Sequence, residues 1–244
     1  MSDSIVLIPT YNEKENIENI IRKVFSLEKE FDILIIDDGS PDGTAEIVES
    51  LIKEFPERLF IEKRKGKLGL GTAYIHGFKW ALQRDYEYVF EMDADFSHNP
   101  DDLIRLYESC ANGADLSIGS RYVGGKISVV NWPIGRVIMS YYASYYVRLI
   151  TRMKIYDATA GFVCYRRELL KTMNLDKVKF VGYAFQIEMK YTTYKLGFKL
   201  NEVPIIFTDR VLGQSKMSMK IFKEAFFGVW SLRLRNWDKY KKID

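Results

Sequence analysis

The sequence predicts an α/β fold, a mostly parallel sheet with helices on both faces, and three observations carry that expectation. Short apolar runs alternate with longer segments of helical periodicity, and the unit repeats four times within the first 110 residues. The runs are apolar at successive positions instead of every second one, the pattern of strands covered on both faces. Polar loops follow three of the runs, at the carboxyl strand ends where an open parallel sheet collects its ligand-binding residues.

Taken in order, SIVLI at 4–8 leads through PTYNEKEN to a helix over Ile17–Phe25, with Ile17, Ile20, Ile21, Val24 and Phe25 on one face. FDILIID at 31–37 leads through DDGSPDGT to AEIVESLIKEF, where Asp42, with Thr44 close behind, can start the helix. LFIEKR at 59–64 leads through GKLGLG at 66–71 to TAYIHGFKWAL. YEYVFEMD at 86–93 leads through ADFSHNP to DDLIRLYESC, with Asn99 before Pro100 as the helix start. From about residue 120 the rhythm breaks, and the second half is expected to elaborate the site instead of extending the sheet. Two segments there mix apolar and aromatic residues with arginine or lysine, at 132–153 and 221–244. The first reads as a buried helix or as an amphipathic interfacial one, with Trp132 and the tyrosines near lipid headgroups and Arg136, Arg148 and Arg152 toward lipid phosphate. The expected organisation is a catalytic domain over 1–218 and an amphipathic, basic C-terminal tail over 219–244 that can touch a membrane surface.

Composition narrows the function. A chain of 244 residues with 47% apolar content can bury a full core. A formal charge of +3 is too balanced for the phosphate-neutralising field of a nucleic-acid binder, so no nucleic acid is expected as a partner. Cys110 and Cys164 fall in a helix and a strand far apart in sequence, which argues for buried thiols in a reducing compartment. The N-terminus lacks a signal pattern, and no window reaches the roughly 18 uncharged apolar residues of a spanning helix.

The first loop lacks the G-x-G-x-x-G of a dinucleotide site, and no P-loop is present. GKLGLG is either a phosphate-loop imitation or a flexible turn. The fourth run ends on Asp93 and Asp95, one residue apart, where both carboxylates can reach a shared cation. Hard oxygen ligands suit Mg2+ or Mn2+, which bind through one or two carboxylates plus substrate phosphates. The plain alternative is that Asp93 ends a strand and Asp95 caps a turn. Asp37 and Asp38 at the same crevice add to an acid cluster that needs cations or hydroxyl donors.

PTYNE at 9–13, IDDGSPDGT at 36–44, MDADFSHNP at 92–100, GSRY at 119–122, DATAGF at 157–162, GYAFQIEM at 182–189 and FTDRVLGQSKMS at 207–218 together resemble the dolichyl-phosphate (polyprenyl-phosphate) mannose synthases. These are family-2 glycosyltransferases with the GT-A fold. The N-terminal motifs are general to family 2, whereas the last two are particular to polyprenyl-phosphate glycosyl transfer. The resemblance implies that Pro9, Tyr11 and Glu13, with Ile36 and Asp38, contact the nucleotide's base and ribose. It implies that Asp93, Ala94 and Asp95 lie against the nucleotide, the two aspartates holding the metal. Arg121 matches an arginine at the sugar or acceptor phosphate, Arg210 and Lys216 match a cationic pair that closes over the diphosphate, and Arg136 and Ser140 stand where further acceptor-phosphate contacts lie. Ser97 replaces a glutamine that helps hold the metal in some relatives, so coordination is expected to lean on water.

The implied reaction is inverting transfer of mannose from GDP-mannose to a polyprenyl phosphate at the cytoplasmic face of a membrane. Its catalytic residues are Asp95, Arg121, Arg136, Arg210 and Lys216. A phosphomonoester has a second pKa of about 6 and attacks without a general base, so neither His76 nor His98 is expected to carry a proton. Family members often have spanning helices or a membrane partner subunit; without a spanning helix, this chain is expected to be peripheral. The competing readings are the same chemistry with UDP-glucose, a non-catalytic sugar-nucleotide-binding subunit, which would predict loss of the D-x-D pair, and a sugar nucleotidyltransferase, which would carry a Gly-rich, basic first loop. Residues 207–218 read as a solvated loop on their own and as a mobile lid under the resemblance.

Overall fold

The computed structural model describes residues 2–182, 184–209 and 227–242. One sheet runs through the molecule. Its strands are β1 (Ser4–Thr10), β2 (Asp32–Asp37), β3 (Leu59–Lys63), β4 (Tyr88–Glu91), β5 (Leu116–Ser120), β7 (Val163–Arg166) and β8 (Leu200–Pro204), in the order β3-β2-β1-β4-β7-β5-β8. Every pairing is parallel except those of β7, which is antiparallel to both β4 and β5. A second, two-stranded parallel sheet joins β6 (Val129–Val130) to β9 (Phe207–Thr208).

The unbroken apolar strands divide their side chains between two cores, as the two-residue period of a strand requires. Ile5, Leu7, Leu34 and Ile36 face helices α3 (Leu70–Leu82) and α7 (Ala184–Lys195). Val6, Ile8, Ile33 and Ile35 face α1 (Ile17–Phe25), α2 (Thr44–Ile52) and α4 (Asp102–Ala111). Helix α1 buries Ile17, Ile20, Ile21 and Val24, and Phe25 packs on Phe55 with ring centroids 4.4 Å apart. The helices start one and two residues later than expected: Gly43 and Asp101 stand at the N-caps, neither with a side-chain cap hydrogen bond. Asp42 and Asn99 instead form the turns just ahead, Asp42 Oδ1 accepting from the Thr44 N–H and hydroxyl and Asn99 Oδ1 from the Asp101 N–H.

One expectation needs correction. The second half does extend the sheet, because β7 enters between β4 and β5 and β8 forms its edge. Four residues are too few for periodicity to mark a strand, and β7 returns, antiparallel to both neighbours, only after the long excursion from β5 through residues 121–162. Cys110 and Cys164 are free, and although distant in sequence they meet: Cys110 Sγ lies 3.6 Å from the Cys164 carbonyl oxygen where α4 packs on β7.

Helix α5 (Ile134–Thr151) buries Ser144, Val147, Ile150 and Thr151. Its other face exposes Ile134, Ile138, Met139, Tyr142, Tyr145 and Leu149. Residues 227–233 form an eighth helix, α8. It returns to the body through buried Val229 and Leu232, while Phe227, Trp230 and Leu234 remain exposed. The expected boundary at 218/219 lies outside the described residues.

Candidate active site

Three loops at the carboxyl edge of β1, β2 and β4 meet as expected. The first two are stitched by backbone donors: Asn12 N–H to Ser40 Oγ at 3.0 Å, Glu13 N–H to Thr44 Oγ1 at 3.1 Å and Lys14 N–H to Asp42 Oδ2 at 3.1 Å. Asp37 is scaffolding. Its carboxylate accepts from the Thr10 and Ser40 hydroxyls and from the Gly39 and Ser40 N–H groups at 2.6–3.1 Å. These donors relieve the acid cluster at that point. Asp38 instead pairs with Arg64, 2.6 Å away. Pro9, Tyr11 and Glu13 are half-buried at the end of β1. The Ile36 side chain is fully buried against Leu7 and the helix carrying Gly77, and its backbone is in register with Pro9 of β1 and Glu62 of β3, so Ile36 lies in the sheet beneath the loop.

In the third loop Asp93 is half-buried, Ala94 is buried and Asp95 is 8% exposed. Asp95 Oδ1 accepts the Ser97 N–H at 3.1 Å, so it does cap a turn. That turn aims Ser97 Oγ inward, where it is buried with no hydrogen-bond partner among the described residues. A buried hydroxyl left over on the loop that carries Asp93 and Asp95 fits a hard cation with its water shell there. No cluster of three or more His, Cys, Asp or Glu that could hold a metal occurs among the described residues. A metal at this pair would therefore take the rest of its shell from phosphate oxygens and water. His98 is buried between Phe162 and Phe207, with ring centroids 4.9 and 5.3 Å away, and the Asp93 N–H points at its Nδ1 from 3.5 Å. Burial pushes its imidazole well below the ordinary range, so it is neutral and holds the loop. His76 lies on the surface, 3.0 Å from Glu62.

The arginines gather around Trp132 and Phe207. Arg121, directly after β5, donates from Nε and Nη2 to Asp157 at 2.7 Å each, from its N–H to Asp157 at 3.1 Å, and from Nη2 to Thr159 Oγ1 at 2.9 Å. Burial alone would raise the Asp157 pKa; the Arg121 charge and hydrogen bonds outweigh it and hold the carboxyl below its usual range. The Arg121 guanidinium stands 5.6 Å from both the Trp132 and Phe207 rings, and that of Arg136 stands 4.1 Å from Trp132. Arg136 pairs with Asp209 at 2.8 Å, and the Tyr122 hydroxyl donates to Ser140 at 2.7 Å. Thus α5 brings Arg136 and Ser140 beside the GSRY segment. Arg210 and Lys216 lie outside the described residues.

Sequence reasoning assigned no role to several residues that build this site. Asp157 and Thr159 sit in the DATAGF segment, visible as a motif but not as the Arg121 clamp. In GYAFQIEM, Gln186 Nε2 donates to buried Glu91 at 2.6 Å, and Lys190, one turn on, donates to the Ala160 carbonyl at 2.6 Å. These bonds tie β4, which ends just before Asp93, to the loop that carries Asp157. Glu188 accepts the Lys179 and Phe180 N–H groups and pairs with Arg235.

Comparison with known proteins agrees with this geometry. Residues 5–173 match the family described as Glycosyl transferase family 2. The chain is 46% identical to a polyprenol monophosphomannose synthase of Mycolicibacterium smegmatis, over 95% of this chain and 88% of that protein. It is 43% identical to an undecaprenyl-phosphate mannosyltransferase of Micrococcus luteus, over 95% of each. Among solved structures, a mannosyltransferase from Pyrobaculum calidifontis in complex with GDP-Man and Mn2+ superposes with a TM-score of 0.58 at 16% identity, covering 95% of this chain and 70% of that one.

Proposed function

The chain belongs to glycosyl transferase family 2 and has its GT-A fold, and on that premise we propose that it transfers mannose from GDP-mannose to a polyprenyl phosphate with inversion. The observation that carries this reading is the Phe207 ring. It lies 5.3 Å from the rings of His98, on the acid loop, and Trp132, and 5.6 Å from the Arg121 guanidinium. Acids suited to a divalent ion and arginines suited to phosphate thus border the same ring, the arrangement that two phosphate-bearing substrates need.

Pro9, Tyr11, Glu13 and Asp38, with Ile36 beneath them, hold the nucleoside. Asp93 and Asp95, with Ala94 between them, would hold a divalent ion, Mg2+ or Mn2+, whose charge would offset that of the leaving diphosphate. Arg121 and Arg136 receive the acceptor phosphate, with Arg210 and Lys216 assigned to the diphosphate. Neutral, buried His98 and surface His76 leave no histidine base, and a phosphomonoester needs none. Positioning and charge therefore carry the catalysis. Base-selective contacts decide between this donor and UDP-glucose. Purified protein given each sugar nucleotide with Mn2+ and a short polyprenyl phosphate should move mannose faster than glucose into the lipid phase; faster glucose transfer would replace mannose with glucose.

No helix among the described residues is long and apolar enough to cross a membrane. The exposed face of α5, with Ile138 at 51%, Tyr142 at 63% and Leu149 at 66%, supports peripheral docking at a cytoplasmic membrane face, with Arg136, Arg148 and Arg152 near lipid phosphate. Ile138→Glu combined with Leu149→Glu is expected to leave the protein in the supernatant after sedimentation with anionic liposomes, while wild type pellets at low salt. Equal pelleting of both would remove α5 from the interface.

A further inference from the structure

The end of β3 carries a guanidinium that none of these roles uses. Arg64 follows β3, and its N–H donates to the Asp37 carbonyl at 2.8 Å, so sheet pairing fixes its backbone beside the second loop. The side chain is 10% exposed and takes partners from two loops. Nε and Nη2 both lie 2.6 Å from Asp38 Oδ1, Nη1 donates to Thr72 Oγ1 at 2.9 Å, and Nη2 donates to the Gly69 carbonyl at 3.5 Å. The turn at 66–71 is held from elsewhere as well. The Gly71 N–H donates to the Val181 carbonyl at 2.9 Å, and Lys67 Nζ stands 4.8 Å from the centre of the Tyr11 ring. Loops bearing Tyr11, Asp38 and Gly69 are therefore gathered around Arg64.

A carboxylate as buried as Asp38, 7% exposed, requires a hydrogen-bonded cation beside it. Arg64 supplies that cation at Oδ1, and Oδ2 has no partner among the described residues. Nucleobases carry ring N–H groups, on N1 of guanine and N3 of uracil, that donate to such an oxygen. We infer that Arg64 is a positioning residue for the donor nucleobase: it aims Asp38 so that the second carboxylate oxygen accepts a ring N–H, and it fastens the 66–71 turn as a wall of the base pocket. This rests on the donor-site reading above.

The test is calorimetric titration in Mn2+ of wild type, Arg64→Met and Arg64→Lys with GDP, UDP and inorganic pyrophosphate. Met keeps the apolar stem without donors, and Lys keeps a charge for Asp38 without reaching Thr72 and Gly69 together. R64M is expected to weaken nucleoside diphosphate binding about 10- to 100-fold, R64K by less, and neither to change pyrophosphate binding, because pyrophosphate calls on the metal at Asp93 and Asp95 and the cations assigned to the diphosphate and not on the base pocket. In turnover, the donor KM should rise in R64M while kcat at saturation and the acceptor KM stay unchanged. R64M that binds nucleotide as wild type does, or that loses pyrophosphate as fully as nucleotide, overturns the inference. Wild type that binds pyrophosphate but neither nucleotide overturns the donor-site reading along with it.

Discussion

Asp93→Asn combined with Asp95→Asn is expected to lower kcat for sugar transfer by about a thousandfold, the cost of losing a preorganised charge at the leaving group, with the melting temperature close to that of wild type. The stability expectation follows from the site's chemistry. The amides keep the size of both side chains and an acceptor oxygen for the Ser97 N–H that Asp95 now caps, so the loop is retained. The double variant is the right form of the test, because residues that act on one ion are strongly non-additive. Rates measured by transfer of label to lipid, beside thermal melts, separate loss of chemistry from loss of fold. Full activity in the double variant would mean that the diphosphate charge is balanced elsewhere.

Asp157→Ala is expected to destabilise the protein by about 3–5 kcal/mol, because it leaves the Arg121 guanidinium buried without its counter-charge. Arg121 is 9% exposed and Asp157 is fully buried, so solvent screens this pair little. The loss should also fall on catalysis, since Arg121 then lacks the carboxylate that takes both Nε and Nη2 and fixes its direction. The pH dependence has a definite sign. The Asp157 pKa lies below its reference of 3.8 in the folded protein, so its contribution is fully present above that reference. It fades as pH falls through the lower, folded value. Urea melts from pH 7 downward should show wild type losing stability in that acid range, while Asp157→Asn, already lacking the contribution, shows a shallower acid limb. Parallel limbs would mean that the pair does not stabilise the fold.

Much of the fold was legible because its cause is local. Helix α1 could be read from Ile17, Ile20, Ile21 and Val24, and the burial of those residues follows that face. Strand β7 was not legible as part of the sheet, because its place between β4 and β5 depends on a return path of some forty residues that leaves no local periodicity. The site divides the same way. Asp93 and Asp95 stand out because two acids at the end of an apolar strand are costly without a purpose. Asp37 and Asp38 are neighbours of the same type, yet one is consumed by three donors of its own loop and the Thr10 hydroxyl of β1, and the other by Arg64, 26 residues away. Ile36 entered as a nucleotide contact through resemblance, and its side chain proved to be core. Asp157, Gln186 and Lys190 were within view as motifs, but their work is to brace Arg121 and β4 across the fold, and no spacing in the chain announces that.

The central claim is that a divalent ion at Asp93 and Asp95 lets an unassisted lipid phosphate displace the nucleoside diphosphate. Its most direct test follows mannosyl-labelled GDP-mannose incubated with purified protein, Mn2+ and a short polyprenyl phosphate, before and after chelation. Label should pass into the organic phase, stop doing so when the metal is removed and resume when it is restored. Transfer that continues undiminished in the chelator would contradict the account.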